Sequence, residues 1–191
     1  MRRASSRLDT ISSTLSSSPR TFMFGKQAPL ATSELKPGQE SVWDYPRPPR
    51  LERCEKAVRV VFNGETIVNS SNCYRLLETS HPPAYYIPPS DVQSGCFKKT
   101  SRTTFCEFKG SASYFDIVVK GKVANNAAWA YQAPANEYES LKDFLCIYAS
   151  KVDACYVDEE KAQPQEGDYY GGWITSNIVG PFKGGTGTLG W

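Results

Sequence analysis

The stretch Val58-Arg59-Val60-Val61-Phe62-Asn63-Gly64 constrains this chain most, because it fixes a period and a turn together. Val58, Val60 and Phe62 fall on one face of an extended chain, with Arg59 and Val61 on the other, which is the alternation of a half-buried strand. Asn63-Gly64 then supplies two residues that tolerate positive φ, as a tight hairpin requires, and Thr66-Ile67-Val68 returns antiparallel beside the first strand. An isolated hairpin is marginal in water, so a chain committed to this pairing needs further strands to cover its apolar face.

The sequence supplies them. Residues 74–78 read as a strand, interrupted by His81-Pro82-Pro83 because consecutive prolines cannot donate to a ladder. Tyr85-Tyr86-Ile87 is expected to pair briefly on an edge. Residues 103–108 follow, then 113–120 with Phe115, Ile117 and Val119 facing inward, a turn at Lys120-Gly121, and a strand over 127–131 that Pro134 ends. Residues 136–141 predict about one and a half helical turns, with Glu137 and Glu139 near the positive end of the dipole. Residues 144–148 and 154–157 complete the set. At 191 residues, with 11 Tyr, 9 Phe and 4 Trp, the chain suits one mainly β domain over 40–191. A single compact antiparallel sheet, curled on itself and carrying one short helix, is the expected fold.

Charge and cysteine usage exclude several classes. The net charge of +2 conceals six Lys or Arg against two acids in residues 1–39, which leaves 16 bases against 18 acids in the rest. A slightly acidic domain lacks the basic face of a nucleic-acid binder, so nucleic acid is not an expected partner. No run approaches the 18 to 20 apolar residues of a membrane-spanning helix, and a soluble domain without a membrane partner is expected. The six cysteines, at 54, 73, 96, 106, 146 and 155, contain no Cys-x-x-Cys, and the single histidine, His81, has no ligand partner at metal-binding spacing. They read as reduced, mostly buried thiols; no zinc, other metal or cofactor is expected.

The ends of the domain differ from its middle. The first twenty residues hold four Arg, seven Ser and one acid, Asp9, with Leu8, Ile11 and Leu15 on one helical face. Organellar transit peptides have this composition, and a disordered tail of a cytoplasmic protein has it too; both readings stand for the 1–39 arm, as mitochondrion or plastid against cytoplasm. The Pro-rich lead-in from Lys36 to Arg53 is expected to run extended over the surface, anchored by Trp43 and Tyr45. From Tyr170 the last 22 residues hold seven glycines among Trp173, Ile174, Phe182 and Trp191, and are expected to wrap over the sheet as an ordered tail.

Three runs carry a resemblance. Pro83-Ala84-Tyr85-Tyr86-Ile87-Pro88, Thr104-Phe105-Cys106-Glu107-Phe108-Lys109-Gly110-Ser111-Ala112-Ser113-Tyr114 and Ala127-Ala128-Trp129-Ala130-Tyr131 resemble, in this order, the family catalogued as domain of unknown function 427. The resemblance covers about residues 40–191, and Phe108 stands where the family usually has Trp. It implies a strongly bent β fold similar to the zinc-binding tent-like (Mss4-like) proteins, without their paired Cys-x-x-Cys ligands. The family also carries a nucleotidyltransferase label. Nucleotidyl transfer uses paired carboxylates on divalent metal, and here Gly110-Ser111 is followed by Asp116-Ile117-Val118, which lacks the second acid.

The side chains with chemistry cluster around those runs. A thiolate at Cys106 activated by Lys109 would make a nucleophile, although alternation sets Cys106 and Phe108 against Glu107 and Lys109 unless Gly110 introduces a bulge. The plainer reading is a buried Cys106 under an aromatic layer with a solvated Glu107–Lys109 ion pair outside. His81, oriented by Glu78 three residues before it, is the candidate general base. Tyr86, Tyr114, Trp129 and Tyr131 are candidate walls of a small-molecule pocket, and equally a β core. Whether the domain is an enzyme stays open. The first functional reading is a small-molecule-binding β domain with a cleft near these residues. The second is an interaction or assembly module that binds a protein through its Pro-rich segment or glycine-rich tail, and the third is the nucleotidyl transfer that the resemblance implies.

Overall fold

Strands account for most of the regular structure in the residues described by this computed structural model, 34–167, 169–188 and 190–191. In chain order they are β1 (Glu40–Ser41), β2 (Arg50–Arg53), β3 (Val58–Phe62), β4 (Glu65–Ser70), β5 (Tyr74–Leu77), β6 (Ala84–Ile87), β7 (Phe97–Cys106) and β8 (Gly110–Val119). Then come β9 (Lys122–Tyr131), β10 (Leu145–Ile147), β11 (Ala154–Val157), β12 (Glu160–Lys161), β13 (Gln163–Pro164), β14 (Trp173–Ile174) and β15 (Ile178–Val179). They make a seven-stranded sheet ordered β2-β5-β6-β10-β9-β8-β7, a four-stranded sheet ordered β12-β11-β3-β4, and the pairs β1–β15 and β13–β14. The fold is mainly β, as expected. The strands divide between two principal sheets, however, and neither closes into a barrel.

Local chemistry sets the hairpins. Asn63 and Gly64 have φ of 50° and 77°, and Phe62 stands opposite Glu65 across the turn. Lys120 and Gly121 repeat the device between β8 and β9, with φ of 47° and 81°. Between Phe115 and Ile117 the β8–β9 register shifts, leaving extra residues of β9 around Asn126, whose φ is 46°. That bulge is fastened from three directions. Asp116 Oδ1 accepts the Asn126 N–H at 2.6 Å, Thr100 Oγ1 bonds Asn126 Oδ1 at 2.9 Å, and Lys151 Nζ donates to the carbonyls of Asn125 and Asn126 at 3.1 Å each.

The central strand β9 is covered on both faces. Ala124, Ala128 and Ala130 join Val58, Val60, Phe62, Ile67, Cys155 and Val157 of the four-stranded sheet in the main core, so the two sheets pack face to face there. Trp129 and Tyr131 point the other way, into a second cluster with Tyr86, Tyr114 and Tyr148. Each face buries what it does because side chains alternate along β9.

Some expectations change in detail. β6, expected on an edge, lies between β5 and β10 and pairs with both, since Tyr85, Tyr86 and Ile87 are apolar toward both faces. Residues 136–141 form 3₁₀ turns rather than α-helix, kinked at Tyr138, whose buried ring reaches across to donate to the Pro49 carbonyl at 2.7 Å. Further 3₁₀ turns span Pro89–Asp91 and Ala149–Lys151. All six cysteines are free, and five are buried. Trp173 is fully buried and donates from Nε1 to the Ile147 carbonyl at 2.9 Å, which anchors this part of the tail against β10. The Pro-rich lead-in packs with that tail: Val42, Tyr45, Leu77 and Ile178 share a core, and Trp43 Nε1 donates to the Pro181 carbonyl at 2.9 Å. Residues 34–39, expected in the arm, hold a turn closed by Gln39 N–H on the Lys36 carbonyl at 3.0 Å. The stretch for which a targeting role or a disordered tail is expected falls largely on residues 1–33, outside the described residues, and no helix among the described residues is long and apolar enough to cross a membrane.

The bulge is open to a direct test. Asp116→Ala leaves the Asn126 N–H without its acceptor and should lower stability by about 1–2 kcal/mol, read as a lower urea midpoint at unchanged slope. An unchanged midpoint would contradict the fastening described above.

Candidate functional site

The second face of the seven-stranded sheet carries an ordered aromatic row. Strand register sets Tyr74 opposite Tyr86, Tyr86 opposite Cys146, Cys146 opposite Trp129 and Trp129 opposite Tyr114. Trp129 meets Tyr148 at 4.6 Å between ring centroids, while Tyr86 sits edge-on to Trp129 at 6.5 Å and tilted to Tyr131 at 6.4 Å. These are the tilted and edge-to-face arrangements that aromatic quadrupoles favour. The rings of Tyr86, Tyr114, Trp129, Tyr131 and Tyr148 are buried, yet all five residues line a cavity. This cleft of about 290 Å³ opens over the row, and its lining includes every candidate read from the sequence: Glu78, His81, Tyr86, Cys106 and Lys109, with Tyr114, Trp129 and Tyr131.

The β7–β8 turn brings Cys106 and Lys109 to the same cavity. Cys106 ends β7, Glu107-Phe108-Lys109 form the turn, and Gly110 begins β8 at φ 90°, so the strand alternation that would separate these side chains does not operate. All four side chains from Cys106 to Lys109 line the cleft. The solvated Glu107–Lys109 pair of the plainer reading does not form. Glu107 accepts from Arg47 at 3.1 Å instead, and Lys109 is only 6% exposed. The Lys109 ammonium lies 5.9 Å from the ring centroids of both Tyr131 and Tyr138, and has no hydrogen bond or ion pair among the described residues.

His81 is held by a partner that its sequence neighbours do not reveal. Gln165 Nε2 contacts His81 Nδ1 at 2.9 Å and the Lys183 carbonyl at 2.7 Å, while Gln165 Oε1 accepts the Gly172 N–H at 3.2 Å. Those two main-chain bonds orient the amide, so Nε2 is the donor and His81 Nδ1 the acceptor, which leaves the imidazole proton on Nε2. Glu78 does not orient the ring: its carboxylate pairs with Arg47 at 2.9 Å, and its carbonyl accepts the His81 backbone N–H at 3.0 Å. Burial, then the charges of Lys183 and Arg47, lower the His81 pKa to about 4. The ring is therefore neutral at neutral pH.

The tail closes the cleft at close quarters. A Cβ on Gly171 would lie 2.0 Å from the Trp129 ring, and one on Gly172 would meet Gln165 Oε1 at 2.6 Å and the Pro82 carbonyl at 2.7 Å, so neither position has room for a side chain. Trp173 N–H donates to the Pro83 carbonyl at 2.9 Å, and Tyr170 lies 4.8 Å from the His81 ring. Sequence reading missed Arg47, Tyr148, Gln165, Tyr170 and Lys183, all of which line the cleft. The one available signal was Tyr169-Tyr170-Gly171-Gly172, aromatic residues beside glycines where a backbone must approach a ring.

The acid that follows Gly110-Ser111 is committed elsewhere, because Asp116 caps the β9 bulge. Among the described residues no group of three or more His, Cys, Asp or Glu is placed to hold a metal ion. The span from β2 to β11, which supplies the aromatic row, Cys106, Lys109, Glu78 and His81, coincides with a family match: residues 50–158 fit the model described as domain of unknown function DUF427. The chain belongs to the DUF427 family. The family span thus contains the floor and one rim of the cleft, whereas Arg47, Gln165, Tyr170 and Lys183 come from outside it. Comparison with curated proteins gives no match.

The His81 environment makes stability depend on pH. With its pKa lowered from 6.5 to about 4 on folding, the unfolded chain binds the proton more readily throughout that interval. The contribution of His81 to stability is complete above about pH 6.5 and is lost as pH falls toward 4. The melting temperature should therefore fall over this window, and His81→Gln should flatten the fall; equal slopes in the two proteins would contradict this placement.

Proposed function

We propose that this DUF427 chain binds one small, flat organic molecule in the cleft over Trp129. The observation that carries the reading is a cleft whose wall is this aromatic row, backed by the seven-stranded sheet and fringed by a few polar side chains, which is the usual make-up of a small-molecule site. A volume of about 290 Å³ fits a ligand of one or two rings. The tail glycines, placed against the Trp129 ring and the His81 loop, would complete the enclosure.

Catalysis at this site is a proposal that rests on two groups. The Nε2–H of neutral His81 would donate to a bound carbonyl or hydroxyl oxygen, and Cys106 offers a thiol on the same cleft. Nucleotidyl transfer, which the family label names, draws less support. A triphosphate carries several charges, and the acid that would follow Gly110-Ser111 is engaged with the β9 bulge. The interaction-module reading also draws less support, because Trp43, Trp173 and Pro181 use their hydrogen bonds within the domain.

The test is a screen of one- and two-ring compounds by ligand-observed NMR. The expected result is a set of binders whose cross-relaxation reaches the Trp129 ring in the wild type and whose binding is weakened about tenfold or more by Trp129→Ala. Binders that contact no cleft residue, or no binders at all, would overturn the reading.

A further inference from the structure

We infer that the ligand of this cleft is an organic anion with a single negative group, a carboxylate or similarly small anion, seated on the Lys109 ammonium. The inference rests on the small-molecule reading above and narrows its ligand class.

The charges of the cleft are the first argument. Three cations line it, and two are committed. Arg47 bonds Glu78 at 2.9 Å and Glu107 at 3.1 Å, and Lys183 Nζ donates to the Trp191 main-chain oxygen at 2.7 Å. Lys109 is the third. It is more deeply buried than a solvated lysine, at 6% exposure, and its ammonium makes no hydrogen bond or ion pair among the described residues. Two tyrosine faces at 5.9 Å, near the outer limit for a cation–π contact, are the partners the ammonium has among the described residues. A charge without a hydrogen bond or ion pair on the wall of a cleft is open to an anion that enters it.

The second argument is the shape of the lining. His81, neutral and with its proton on Nε2, adds a donor and no charge, so the cleft presents one uncommitted positive charge and one neutral donor. Tyr131 lies beside the Lys109 ammonium and Tyr170 beside the His81 ring, and Tyr86, Trp129 and Tyr148 line the same cleft. At the rim, Phe105 and Tyr169 are 73% and 66% exposed, large apolar side chains left in water at the opening. A charged end inside and an apolar body reaching the rim satisfy both features at once. A second anionic group would find Arg47 already shared between two carboxylates.

The test compares three probes that share a ring and differ in charge: benzoate, benzamide and benzylamine. Dissociation constants come from NMR titration of the wild type, Lys109→Gln and Lys109→Arg. Benzoate should bind wild type about tenfold or more tighter than benzamide, with benzylamine weakest, as expected for a charged partner. Lys109→Gln should abolish the preference, and Lys109→Arg should keep most of it. Because a buried substitution can disturb folding, the wild-type protein supplies an independent readout: the Lys109 side-chain resonance should move with benzoate and stay with benzamide. Neutral or cationic probes binding as tightly as benzoate would overturn the anion inference and leave the cleft standing. A static Lys109 resonance with benzoate bound, or a folded Lys109→Gln that keeps the preference, would overturn it equally. Failure of all three probes to bind would remove the small-molecule reading, and this inference with it.

Discussion

The two-sided burial of β9 is the constraint on which the rest of this structure depends. Small side chains at Ala124, Ala128 and Ala130 face the four-stranded sheet, and large ones at Trp129 and Tyr131 face the cleft. Alanine leaves room on one side for Val60, Phe62, Tyr85 and the wholly buried Trp173 to share a close-packed core. That core holds the strand still. A rigid strand with hydrogen-bonded neighbours on both sides presents its opposite face in a fixed register, which lets Tyr86, Cys146, Trp129 and Tyr114 line up across four strands.

The chemistry of the cleft follows from what is added around this floor. The β7–β8 turn projects Lys109 inward because Gly110 takes the positive φ that ends the alternation. The tail, which can lie against Trp129 only because Gly171 has no Cβ, brings Gln165 to His81 and keeps the ring dehydrated and neutral. Burial suppresses the charge of His81, and Lys109 lines the same cleft.

Local pattern made much of this legible. The alternation at 58–62, the Asn63-Gly64 and Lys120-Gly121 turns, the glycine-rich tail over the sheet and the aromatic faces of 86, 129 and 131 were all readable from adjacent residues. What local pattern could not give were partners distant in sequence. Gln165 is 84 residues from the histidine it orients, and Arg47 is 60 residues from Glu107, so Glu78 was expected to orient His81 when it actually serves Arg47. Interior and edge strands likewise look alike in a short apolar run, which is why β6 was expected at an edge. The bulge at Asn126 escaped because nothing in Asn125-Asn126 alone announces that a carboxylate on the next strand will cap it.

Native-state hydrogen exchange along β9 tests the central claim most directly. If this strand is the clamped element between core and cleft, the hydrogen-bonded amides of residues 128–131 should exchange only through global unfolding and rank among the most protected in the molecule. Exchange of those amides through local opening, faster than that of the β3–β4 hairpin, would contradict it.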